Sequence, residues 1–336
     1  MSEDLSAFRS ALDACGDVSG ASRNDWVSMV DDLATEYGYF EPLGADHAVA
    51  FIDAGPKLLV CFETFESIQA RGQNGLPSGF SAAADNGWST LTMIAHGESG
   101  DAPWFRRPHV YGYFDRLVND AFFEDFDQVV IYGAGSGGYA AAAYSVAAPG
   151  ATVIAVSPQA TLDGRMAAWD HRYAAARRAD FTGRYGFAPH MIDGAGAAFV
   201  MYDPRIDLDA MHAALFARAH VALLPLRHFG AHPDKILDDT GALDRIIGAA
   251  MSGRLNPRVI HREARTRRLS EAYLTSVLNA IDADQNPLRC WLLCRHARRA
   301  FPKNLAFEAA GKQAAATLNA RSITLPKALT PALEGA

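Results

Sequence analysis

Short, nearly uninterrupted apolar runs recur along the first two-thirds of the chain, each closed by Gly, Pro, Asp or Ser. His47–Ile52 (HAVAFI) ends at Asp53-Ala54-Gly55, and Leu58–Phe62 (LLVCF) follows Pro56. Ser89–Ala95, Gln128–Tyr132, Thr152–Val156, Ala197–Tyr202 and Val221–Pro225 repeat the pattern. Runs of this length without polar alternation predict strands covered on both faces. Helical patterns lie between several of them. One runs from His109 to about Phe123, and another follows Gly133–Gly138 until Pro149-Gly150 stops it. The prediction is an α/β fold with a mostly parallel sheet covered by helices on both faces.

The flanks differ from this core. Residues 1–40 read as a polar helical segment, and 63–86, rich in Gly, Ser and Asn, reads as loop. Residues 160–195 carry Arg and aromatic residues without a strand pattern and form a possible lid insertion, with Trp169, His171, Arg172 and Tyr185 as substrate contacts. From about 256 to 336 the pattern is helical only: Arg262–Ala283, Leu288–Arg299 and Leu305–Leu318. The expected layout is an N-terminal segment 1–40, a sheet domain 41–255 and a helical C-terminal extension 256–336, the last a possible protein-binding tail.

Composition narrows the class. At 336 residues and 49% hydrophobic, the chain can bury a sizeable core. A net charge of -7 offers no basic field for nucleic acid. The acidic N-terminus lacks the basic start and apolar core of a secretory signal, and no apolar run approaches spanning length. Cys15, Cys61, Cys290 and Cys294 form no ligand set for a metal, and Cys290 and Cys294 share a helix face. A soluble, cytoplasmic protein without metal or cofactor is expected.

The chemistry concentrates at Gly133-Ala134-Gly135-Ser136-Gly137-Gly138, between a strand and a helix. One reading is a nucleophile elbow with Ser136 as nucleophile. Its sharp turn demands small residues two before and two after the serine, here Ala134 and Gly138, and Gly137 N–H becomes an oxyanion donor. The same letters satisfy the dinucleotide fingerprint G-x-G-x-x-G of an NAD(P)-binding oxidoreductase. That mechanism needs an acid at the end of the next strand, where Ser157-Pro158-Gln159 stands instead.

The elbow also needs a base and an acid. Asp203 follows the sixth run, with Asp207 and Asp209 as alternates whose other use is capping a helix. His232 follows the seventh, with His228 as alternate; His212 reads as an ordinary helix residue. The second oxyanion donor is expected from backbone near Phe62 and Glu63, with the Glu63 side chain an exposed loop acid. Gln159, Trp104 and Arg106 are expected to line the substrate pocket.

These residues resemble the α/β-hydrolase superfamily over roughly 45–250, on Ala134–Gly138, Asp203 and His232. More narrowly, FETF, YGAGSGGYAAAAYS, VSPQ and YDP look like a group of bacterial hydrolase-like proteins associated with surface-polysaccharide and glycosyl-transfer genes. That group commonly has methionine after the nucleophile, where this chain has Gly137. The resemblance implies a serine esterase or acyltransferase that forms an acyl-enzyme, acting on an ester such as an acylated carbohydrate. The alternative is a non-catalytic accessory protein that kept the fold.

Overall fold

The computed structural model describes residues 2–71 and 74–323. The expected loop at 72–73 and the end of the C-terminal extension, 324–336, lie outside the described residues.

Eight strands form one sheet: β1 (Gly38–Leu43), β2 (His47–Ile52), β3 (Lys57–Thr64), β4 (Ser89–Ala95), β5 (Gln128–Ala134), β6 (Thr152–Val156), β7 (Ala197–Tyr202) and β8 (Val221–Pro225). Their order is β1-β2-β4-β3-β5-β6-β7-β8, antiparallel at β1–β2 and β2–β4 and parallel from β4 to β8. This is the strand order of the α/β-hydrolase fold. All seven predicted runs are strands. The eighth, β1, is a half-exposed edge strand with no buried run to announce it.

Each central strand deals its side chains alternately to two cores. Leu58, Val60, Phe62, Ile131, Val153, Ala155 and Val200 face a layer that holds helices Pro108–Asn119 and Ser136–Tyr144. Leu59, Cys61, Val130, Tyr132, Ile154, Val156 and Met201 face helices Pro233–Asp239 and Ala242–Met251. That two-sided burial explains the missing polar alternation. A third cluster packs the N-terminal helices Ser2–Cys15 and Arg23–Tyr37 against Ala50, Ile52 and Ile94.

Helix Ser136–Tyr144 runs beneath β5 and is buried from Gly137 to Tyr144. Its four alanines, Ala140–Ala143, let it lie close to the sheet; a helix apolar on all sides must be covered on all sides. Two tyrosine hydroxyls fix what covers it. Tyr139 donates to Tyr185 O and Tyr144 to Phe105 O, both at 2.6 Å.

The segment 63–86 differs from the loop expected. Thr64 and Ser67 form a capping box opening helix Phe65–Gln69, and helix Ser78–Asn86 buries Phe80 and Ala83. Their short, small-residue sequences hide the apolar periodicity. The stretch expected as one helix from Arg262 breaks into a 3₁₀ turn, Ala264–Leu269, and helix Glu271–Ala280, which Ser270 caps. Helices Pro287–Ala300 and Leu305–Ala320 follow, with Cys290, Cys294, Trp291 and Leu318 buried between them. No helix among the described residues is long and apolar enough to cross a membrane.

Two buried imidazoles stay neutral in this fold. His47 contacts Ala102 O, and His212 lies between Ala160 N–H and Asp170. Burial lowers both pKa values to about 4. Between the ordinary imidazole range and that value, the unfolded chain binds protons that the folded chain refuses. Each histidine therefore contributes stability at neutral pH that is lost as the pH falls from about 6.5 toward 4. In an NMR titration, the rings of His47 and His212 should hold their neutral shifts at pH 5.5.

Candidate functional site at the crest of the sheet

The turn after β5 decides how the site is built. The strand ends at Ala134, the helix begins at Ser136, and Gly135 stands between them with φ 56° and ψ −122°. In a nucleophile elbow, the strained residue between strand and helix is the one that carries the nucleophile. Here that residue is Gly135. The close approaches agree. A Cβ on Gly133 would lie 2.1 Å from Gly137 O, and one on Gly137 would lie 2.3 Å from Phe62 O. The two positions that cannot carry a side chain are thus two before and two after Gly135. A Cβ on Gly135 would meet nothing within 4 Å.

The sequence reading centred the elbow on Ser136, with Ala134 and Gly138 as its flanks, and the structure moves the centre back by one residue. Several registers fit a run this rich in glycine; only backbone geometry separates them. Ser136 is instead the first residue of the helix. The helix's own ladder begins with Tyr139 N–H donating to Gly135 O at 3.0 Å, which leaves the N–H groups of Ser136, Gly137 and Gly138 free of it. The donor that follows the elbow's apex is therefore Ser136 N–H, one residue before the expected Gly137.

A cavity of about 750 Å³ opens over this turn. Of the expected residues, Ser136, Gly137, Phe62, Glu63, Gln159, Trp104, Arg172, Asp209 and His232 line it. Asp203, Asp207, His228 and Arg106 are not among its lining residues. His232 is exposed and precedes helix Pro233–Asp239. Among the described residues, no hydrogen bond joins Ser136 Oγ to His232 or to His228.

Asp203 is 1% exposed and fully engaged. Its Oδ1 accepts from Arg205 N–H at 3.0 Å and its Oδ2 from Gly230 N–H at 2.8 Å. The carboxylate that was expected to orient a histidine ties the loop after β7 to the loop after β8. His228, at φ 69°, faces Arg205 Nη1 at 3.0 Å, and burial together with that guanidinium lowers its pKa. Asp207 is exposed in the first turn of helix Asp207–Leu215, where it makes no side-chain cap.

Arg106 also leaves the pocket. It donates to the carbonyls of Asp180 and Arg184 and lies over the rings of Tyr111 and Phe181. Its work is to fasten 160–195 onto the sheet domain. Glu63 is not an exposed loop acid: it is buried, pairs with Arg71, and accepts from Ser78 Oγ at 2.7 Å and Ser78 N–H at 3.1 Å.

His212 differs most from its expected role. It is wholly buried, packs at a tilt against the ring of Trp169 with centroids 4.5 Å apart, and contacts Asp170 at 3.0 Å. Asp170 pairs with Arg172 at 2.8 Å, and Arg172 reaches Asp209 at 2.7 Å. The sequence names Arg172 and Asp209 separately, but not their linkage through Asp170 to His212, nor Tyr173 at the pocket wall. The sequence signal for that linkage is the spacing Asp170-x-Arg172, a local fork that Asx-type turns also produce.

No family model and no curated protein sequence matches this chain. Among solved structures it aligns with a fluorophosphonate-binding serine hydrolase of Staphylococcus aureus, at 12% identity over 62% of this chain and 94% of that one, TM-score 0.40. It aligns with the capsule O-acetyltransferase of Neisseria meningitidis serogroup A at 13% identity over 62% and 94%, TM-score 0.39. A bacterial heroin esterase aligns at 16% identity over 78% and 98%, TM-score 0.42. At these scores the fold assignment rests on strand order and the turn, not on the alignments.

Substitutions at the turn test its register. Gly135→Ser should fold, at a strain of about 1–3 kcal/mol for a non-glycine residue at this φ and ψ. Gly133→Ala and Gly137→Ala place a carbon against backbone oxygen and should lose more than that in denaturant melts. Equal losses at all three would contradict the assignment. Asp203→Ala removes the acceptor of two half-buried N–H groups and should cost about 1–3 kcal/mol, measured the same way.

Proposed function

We propose that this protein binds a ligand in the crest pocket of an α/β-hydrolase fold without forming an acyl-enzyme. The observation that carries this reading is Gly135 at the apex of the elbow, where acyl transfer needs an oxygen or sulfur nucleophile. Two further observations support it. Asp203 spends both oxygens on backbone N–H groups, and among the described residues no imidazole is hydrogen-bonded to Ser136. The free N–H groups at the start of helix Ser136–Tyr144 suit an electron-rich ligand atom, as an oxyanion hole does, but as a binding contact.

A second reading keeps the serine esterase or acyltransferase expected from the sequence, with Ser136 as nucleophile and His232 as base. Its support is that both residues line the same cavity. It requires the β8 loop to bring the imbedded helix start and His232 together, with an acid other than Asp203 behind the base.

A fluorophosphonate probe followed by peptide mass spectrometry separates the two. Folded protein should remain unlabelled at Ser136, and short acyl esters should hydrolyse no faster than with a Ser136→Ala variant. Labelling of Ser136 that heat denaturation abolishes would overturn the binding-protein reading and establish the serine enzyme.

A further inference from the structure

The wall of the crest pocket holds three buried polar atoms that find no partner: Ser157 Oγ, Gln159 Oε1 and Asp209 Oδ2. Their residues are 4%, 1% and 2% exposed, and all three line the cavity. An unpartnered buried polar group costs about 1–3 kcal/mol. Three on one wall make a cost that a packed apolar wall would avoid.

The surroundings hold these atoms in place. Gln159 donates its amide N–H to Ser157 O at 3.2 Å, which turns Oε1 the other way. Asp209 gives Oδ1 to Arg172 at 2.7 Å, and Arg172 is braced by Asp170, which His212 contacts from behind. That leaves Oδ2 as the free oxygen. Ser157 sits at φ 44°, a conformation rare for serine, pinned by its N–H to Met201 O at 2.7 Å. Burial raises the Asp209 pKa, and Arg172 and the neighbouring Ser157 hydroxyl act against that rise. Strained backbone and orphaned polar atoms coincide at one wall, the combination expected where a ligand completes the structure.

The atom types select the ligand. Two are pure acceptors and the third is a hydroxyl, so the ligand must present several donors close together. Arg172 already offsets the charge of Asp209, which removes the main reason for a cation. Trp104 and Tyr173, an edge-to-face pair with centroids 5.0 Å apart, line the same cavity and contribute apolar ring carbon to its wall. A ring with hydroxyls on its edge and C–H groups on its face meets both demands.

We propose that Ser157, Gln159 and Asp209 form a recognition site for a polyhydroxylated ring, whose neighbouring hydroxyls donate to these three residues. This deepens the binding function proposed above and names its ligand class. The test is independent of whether Ser136 reacts. The full chain is titrated with methyl α-D-glucopyranoside and with myo-inositol, followed by saturation-transfer NMR, with putrescine and inorganic phosphate as charged controls. Saturable binding of at least one polyol is expected. Ser157→Ala and Asp209→Asn should each weaken it about tenfold, the factor for one lost hydrogen bond of about 1.4 kcal/mol.

Ser157→Ala keeps every ion pair, so it remains informative if Asp209→Asn misfolds. Three outcomes overturn the proposal: no saturation by either polyol, polyol binding indifferent to Ser157→Ala, or binding of putrescine or phosphate alone. Fluorophosphonate labelling of Ser136 with polyol binding intact would remove the non-catalytic reading and leave this site standing.

Discussion

The backbone contact between the β5 turn and the strands beside it governs the rest of the site. Gly133 lies against the peptide of Gly137, and Gly137 lies against the carbonyl of Phe62 on β3. Neither approach tolerates a β-carbon. Together they bring the start of helix Ser136–Tyr144 down onto the sheet and fix where the chain must reverse. Gly135 takes the strained dihedral angles that result, at a position where a side chain would point into open space. The helix then passes under the sheet on alanines, and Tyr139 and Tyr144 tie it to the segments that cover it.

Around that turn, polar groups are used for holding rather than for proton transfer. Asp203 joins the loops after β7 and β8 through two backbone N–H groups. The run His212–Asp170–Arg172–Asp209 fastens 160–195 to helix Asp207–Leu215. Removing one member of a buried charge chain leaves its neighbour uncompensated, a loss of about 3–5 kcal/mol. Asp209 is the end of that chain, and one of its oxygens is left for the pocket. The rigid network and the ligand-facing atom are thus one structure. A second set, Glu63 paired with Arg71 and bonded by Ser78, adds two more charged residues to the lining of the same cavity.

The sheet was legible because its strands are buried on both faces, so each appears as an unbroken apolar run. The edge strand β1 and the short helices between β3 and β4 were not, because half-exposed or small-residue elements carry weak periodicity. The loops that carry Asp203 and His232 were also placed correctly at strand ends. The hydrogen bonding of Asp203 was not legible, since one of its partners is the N–H of Gly230, remote in sequence.

The sequence by itself determined the α/β class, seven of the eight strands and the position of a glycine-rich turn between β5 and its helix. Apolar runs and glycine punctuation are local, and local patterns survive without a fold. Tertiary structure alone decided which residue crowns the turn. The letters Gly-Ala-Gly-Ser-Gly-Gly admit more than one register, and only the carbonyls of Gly137 and Phe62, pressing on Gly133 and Gly137 respectively, exclude the others. The same holds for Asp209, which reads as a capping residue in sequence. It becomes a pocket acid only because Arg172, from a distant segment, turns one of its oxygens away and leaves the other free.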